Sequence, residues 1–242
     1  MIILNQGIKM NFNEIEVIPS KGKSSGAIQN IKNNLLLPEF IEWPPIEIVS
    51  KFYESNHLKD FDEKYHKKLT QELGYYCDLQ SIKSEDVITW SLFGYVSKLE
   101  FNIQNIFYNE LLKYLNYEND KLITIELWRT LPHPEKLNSK GPEIDVLLYG
   151  KKYVILIECK WTSGIGKNQG INKNMDQLQL RNLFKNGIGK KIFPNKEIII
   201  LFIANENTSN DLFISWENIS KFNNIPHKEL FNNYMKWKIK YI

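Results

Sequence analysis

The chain has 242 residues, 43% hydrophobic and 13% aromatic, which is enough to bury a core and excludes a disordered chain. Its longest apolar runs, "YVILI" and "IIILFIA", are too short to span a bilayer, so no membrane association is expected; two distant cysteines, Cys77 and Cys159, and four scattered histidines exclude a disulfide framework and a zinc finger. The net charge of +3 is unevenly spread, with 12 basic and 17 acidic side chains in residues 1–120 against 19 basic and 11 acidic in 121–242. The basic half suits a polyanionic partner, and a Lys- and Asn-rich drift of composition explains it equally well.

In chain order, "MIILNQGIKMNFNE" lacks a basic n-region and a small-residue cleavage site, so it is a poor signal peptide and the protein is expected in the cytoplasm. Residues 1–26 end in "SKGKSSG" and read as a flexible lead. Residues 27–83 read as a helical region: "PPIEIVSKFYES" starts at a proline pair, and "DFDEKYHKKLTQEL", residues 60–73, is amphipathic and stops at Gly74. From residue 84 to 242 the pattern is that of an α/β domain. "SEDVITWSLFGYVSKL" opens with Ser84 as N-cap and acidic residues in its first turn. "NIQNIFYNELLKYL" continues at helical spacing.

After Glu118 the period changes from helical to alternating. "KLITIELWRT", "PEIDVLLY" and "YVILIECKW" read as strands, the last two joined by a short turn at Gly150. A Gly/Asn/Lys loop, "TSGIGKNQGINKN", then leads to a helix, "MDQLQLRNLFKNG", and a buried strand, "EIIILFIAN". "LFISWENI" reads as another short strand and "HKELFNNYMKWKI" as a terminal helix. Short links favour antiparallel pairing of the first three strands, and the helix before "EIIILFIAN" suggests a crossover, so the sheet is expected to be mixed.

Within these apolar strands stand Glu143, Asp145, Glu158 and Lys160. Charged side chains are rare in buried strands unless paired or ligated. Strand alternation puts Glu143 and Asp145 on one face, and Glu158 with Lys160 on one face; Ile155, Ile157 and Cys159 point the other way, toward a covering helix. If the two strands are neighbours, Asp145, Glu158 and Lys160 gather at one sheet edge. Clustered carboxylates repel unless a cation neutralises them, and an all-oxygen set suits Mg²⁺ or Mn²⁺, with the backbone carbonyl of Cys159 as a further donor. Lys160 beside such a cation can orient water or stabilise charge on a phosphate. The bland alternative is a buried salt bridge of Lys160 with Glu158 or Asp145, a weak stabilising device.

"PEID", then twelve residues, then "ECK" resembles the PD-(D/E)xK nuclease superfamily. The resemblance covers about residues 84–217. It implies a restriction-endonuclease-like core, a mixed β-sheet flanked by helices, preceded here by the helical N-terminal region. It implies Asp145 and Glu158 as metal ligands and Lys160 as the catalytic lysine. Pro142 stands three residues before Asp145, further than is usual in the family, and Glu143 directly after it is a further contributor. Many members add a glutamate from the helix ahead of the sheet; Glu85 is the preferred candidate, with Glu100 and Glu110 as rivals. Many also place a polar residue on the helix after the lysine strand, a position Gln177 matches. Arg181, one turn on, would reach a phosphate. Lys167 and Lys173 in the intervening loop are expected on a nucleic-acid backbone, although a plain solvated loop explains either lysine alone.

The function implied is metal-dependent phosphodiester hydrolysis, in DNA ahead of RNA, with restriction or phage defence as the associated setting. The other class is a catalytically silent module holding nucleic acid or a protein partner. The partners expected are nucleic acid, a protein on the acidic helical half, and a second copy of the chain as a homodimer. His133 between two prolines reads as a rigid surface turn, and the aromatics of "EFIEWPP", "WSLF" and "LFISWENI" read as core packing rather than base-stacking residues.

Overall fold

The structure, a computed structural model, describes residues 11–19, 26–28, 30–37, 39–54, 78–136, 140–206, 212–225 and 228–241. The chain forms two compact units, Met1–Tyr95 with Pro226–Ile242, and Val96–Ile225. Residues 84–95 and the terminal helix therefore belong with the first unit rather than with the sheet, a division that hydropathy alone does not reveal. The helix expected over 60–73 lies outside the described residues, as do 1–10 and 20–25 of the expected lead. Residues 11–19 of that lead are ordered into a turn, Phe12–Glu14, and a short strand β1, Ile18–Pro19, paired antiparallel with β2, Gly26–Ala27.

In the first unit, α1 spans Ile46–Glu54. The Ser84 hydroxyl accepts from the Val87 amide and starts α2, Glu85–Thr89, as the N-cap pattern predicts. The helix then widens into a π turn over Trp90–Gly94 before α3, Tyr95–Ser97, within which the second unit begins at Val96. The last helix, Lys228–Ile239, packs on the Phe12–Glu14 turn, where Phe12 stacks on Trp237 at 5.3 Å.

The second unit is a five-stranded mixed sheet with helices, built in the expected order. Helix α4, Phe101–Tyr114, contacts β3, Leu122–Pro132. β4, Lys140–Gly150, and β5, Tyr153–Cys159, continue the sheet antiparallel. Then come α5, Gln177–Asn186, the short α6, Gly189–Ile192, and β6, Glu197–Ala204, which pairs parallel with β5. The strand order is β3-β4-β5-β6-β7, with β7 only Phe213–Ser215. "LFISWENI" is thus half strand: the Ser215 hydroxyl accepts from the Asn218 amide and starts α7, Trp216–Ser220.

The β4–β5 turn is fixed by one buried carboxylate. Asp120 Oδ2 accepts from the amides of Lys152, at 2.8 Å, and Tyr153, at 3.2 Å, and from the Tyr108 hydroxyl at 3.1 Å. Gly150 lies against this knot, where a Cβ would stand 2.2 Å from Tyr108 Oη. Among the described residues, no helix is long and apolar enough to cross a membrane.

Candidate functional site

β5 is buried along its whole length, as the central strand between β4 and β6. On the face of Glu158, Val154 and Leu156 pack with Leu147 of β4 and Phe184 of α5. The charged end of that face therefore lies under the N-terminal half of α5. The start of α5 is set by a capping box: Asp176 Oδ1 accepts from the Gln179 amide at 2.7 Å, and Gln179 Oε1 accepts from the Asp176 amide at 2.8 Å. Gln179 is spent there, while Gln177 and Arg181, one turn apart, project to the sheet.

The last β4–β5 pair is Val146↔Ile157, so the next position across the ladder is Asp145 opposite Glu158. Directly opposed residues of antiparallel strands share a face. Continued one step past the last ladder pair, the register sets Asp145 across from Glu158. Beyond Val146 and Ile157 side chains replace the ladder. Asp145 Oδ2 accepts from the Cys159 amide at 2.7 Å, and Arg181 Nη2 donates to the Glu143 carbonyl at 2.5 Å. Two backbone groups at an opening strand pair are satisfied this way, which buried peptide groups require.

Glu158 is fully buried and Arg181 is 2% exposed. Arg181 Nε donates to Glu158 Oε1, and Gln177 Nε2 donates to Oε2. Burial pushes the Glu158 carboxyl up, and the Arg181 guanidinium, the Lys160 ammonium and the Gln177 amide pull against it. Lys160 is half-buried, and its peptide is pinned on both sides. Its amide donates to the Ile203 carbonyl at 2.7 Å, and its carbonyl accepts from Trp216 Nε1 at 2.7 Å. Trp216 in turn meets Trp161 edge-on at 6.3 Å.

A neighbouring feature had no sequence signal. Trp128 in β3 has φ +52°, between Leu127, paired with Val146, and Arg129, paired with Ile144. The strand position across from it is Asp145. A bulky residue in the left-handed region costs on the order of 1–3 kcal/mol and persists only where its surroundings impose it. Such strain clusters at functional sites.

Other expected residues fall as follows. Arg181 is not at a surface where it would meet a phosphate; the register of α5 turns it inward, onto Glu158. Lys167 and Lys173 are exposed on the loop after β5, as expected for a solvated loop or a backbone contact. That loop is closed by mutual amide-to-carbonyl bonds of Gln169 and Met175 and tied down by the Ile171 amide on Glu135 Oε2 at 2.8 Å. Glu110 accepts from the amides of Asn223, at 2.6 Å, and Asn224, at 3.0 Å, so it caps a turn. Glu100 is exposed at the start of α4. Glu85 lies in the first turn of α2, in the other compact unit.

The donor set fits a hard divalent cation in chemistry: two carboxylates in opposed positions, with the Cys159 carbonyl between Glu158 and Lys160 in sequence. Each carboxylate oxygen can accept more than one bond, so the Gln177 and Arg181 contacts do not exhaust the lone pairs of Glu158, while the side chain itself is fully buried. Among the described residues, no group of three or more His, Cys, Asp and Glu gathers to hold a metal ion. Compared with known proteins, the chain matches no family model, no curated protein and no solved structure.

Proposed function

We propose that the unit Val96–Ile225 is the catalytic part of a metal-dependent nuclease of the PD-(D/E)xK kind, hydrolysing phosphodiester bonds in DNA ahead of RNA. One observation carries it: Asp145 and Glu158 occupy opposed positions where the β4–β5 ladder opens, two residues from a lysine whose peptide is pinned. The order helix, three antiparallel strands, helix, parallel strand supports the restriction-endonuclease-like reading.

In this reading Asp145, Glu158 and the Cys159 carbonyl hold Mg²⁺ or Mn²⁺. The cation would polarise the phosphate and activate water. Gln177 and Arg181 orient the Glu158 carboxylate. The Lys160 ammonium stabilises charge that builds on the phosphate, and its fixed peptide keeps that ammonium in register. Exposed Lys167 and Lys173 take backbone phosphates, which position a nucleic acid without reading its sequence. Cys159 is buried, and two cysteines far apart in the sequence suit a reducing cytoplasm. Restriction or phage defence is the setting that the family resemblance suggests.

The sealed Glu158, with both oxygens engaged, favours a second reading: a catalytically silent module that binds nucleic acid or a protein partner. Incubation with labelled single- and double-stranded DNA and RNA, in Mg²⁺, Mn²⁺ or EDTA, separates the two. Cleavage in metal and none in EDTA supports the nuclease; binding without cleavage of any substrate supports the silent module.

A further inference from the structure

Glu158 already has a cation. Arg181 reaches it from the middle of α5, with Nε on Oε1, while Nη2 holds the Glu143 carbonyl of β4. One guanidinium thus joins α5, β4 and β5 at the place where the ladder has opened. A buried carboxylate left without a partner is strongly destabilising. The planar fork of arginine also fits two acceptors at once in a way that a lysine cannot.

We propose that Arg181 is a positioning residue that serves as the resident counter-cation of Glu158 and competes with the divalent cation for that carboxylate. The inference rests on the reading of Asp145 and Glu158 as cation ligands. The physical reason is simple repulsion. A divalent ion that takes an oxygen of Glu158 enters beside a guanidinium buried from solvent, where like charges repel more strongly than in water. The same guanidinium keeps the two strand ends together without any metal. The site is therefore assembled before the cation arrives, at a cost in cation affinity.

The test compares the full chain with Arg181→Met and Arg181→Lys, by thermal melting in EDTA and by calorimetric titration with Mn²⁺. Arg181→Met keeps the apolar stem and removes the charge. It should melt several degrees lower in EDTA, and Mn²⁺ should bind it more tightly by on the order of tenfold. Mn²⁺ should then raise its melting temperature by more than it raises that of wild type. Arg181→Lys restores the charge without the fork. It should recover weak, wild-type-like Mn²⁺ affinity and only part of the stability.

If Arg181→Met melts like wild type in EDTA, the counter-cation role is overturned. If it melts lower but binds Mn²⁺ no more tightly, competition is overturned. A wild type that binds no Mn²⁺ beside an Arg181→Met that does supports the proposal. If neither binds Mn²⁺, both the competition and the cation reading of Asp145 and Glu158 fall together, whereas a failure of competition alone leaves Mn²⁺ binding by wild type intact.

Discussion

Arg181 and Glu158 meet as a charge pair sealed from solvent, with the guanidinium of α5 on the carboxylate one residue before the end of β5. The pair explains how a carboxylate can stand near the end of a fully buried strand. Lys160, two residues on, is only half-buried.

Lys160→Ala should leave Mn²⁺ binding intact and lose DNA hydrolysis by on the order of a hundredfold or more, as expected when a partner for transition-state charge disappears. Mn²⁺ calorimetry and cleavage rates on the same preparation provide the check, with melting to confirm the fold. Wild-type cleavage by Lys160→Ala would mean that the lysine plays no chemical part.

Gly150→Ala should unfold the β4–β5 turn. The added methyl would lie 2.2 Å from Tyr108 Oη and 2.3 Å from Asp120 Oδ2, inside the knot that satisfies the Lys152 and Tyr153 amides. Overpacking together with broken hydrogen bonds should cost about 3 kcal/mol or more. Urea unfolding measures it, and exposed Lys151→Ala next door should change stability by no more than about 0.5 kcal/mol. Equal midpoints for Gly150→Ala and wild type would contradict the account of the turn.

In the first unit, Lys238 is fully buried and donates to Asn34 Oδ1 and, at 3.1 Å, to the Ile82 carbonyl, with its Nζ above the rings of Tyr234 and Trp237. Burial holds its ammonium well below the ordinary lysine range. The folded chain therefore binds fewer protons there than the unfolded chain, and the sign follows: stability from this group grows as pH rises toward the unfolded lysine pKa of about 10.4. Lys238→Met removes the proton site. Between about pH 7 and about pH 9, wild type should gain melting temperature relative to Lys238→Met. A gap that stays constant with pH would show that Lys238 has an ordinary pKa in the fold.

Much of the second unit was legible in the sequence. Alternation in "KLITIELWRT", the continuous apolar run of "YVILIEC" and the Gly150 turn each have a direct physical cause, and the three antiparallel strands followed from the short links. Asp145 and Glu158 were legible as opposed carboxylates because one turn fixes one register. Gln177 at the start of α5 was implied by the family resemblance and not by any strand register. The inward aim of Arg181 was not, since arginine on a helix with a polar face ordinarily faces water, and only the rotation of α5 on the sheet decides. Trp128 at φ +52° carries no sequence mark, because bulky residues avoid that region and nothing local requests it. The break within "LFISWENI" had a signal in Ser215 ahead of Trp216, which the alternating apolar pattern concealed.

The most direct test of the central claim is conversion of supercoiled plasmid to nicked or linear DNA in Mn²⁺, by wild type and by Asp145→Asn, with EDTA controls. Asp145→Asn keeps the side-chain shape and an oxygen that can still accept from the Cys159 amide, while removing the charge that would bind a cation. The account predicts conversion by wild type in Mn²⁺, none in EDTA, and a loss on the order of a hundredfold or more in Asp145→Asn. Equal conversion by Asp145→Asn and wild type, or conversion that survives EDTA, would contradict it.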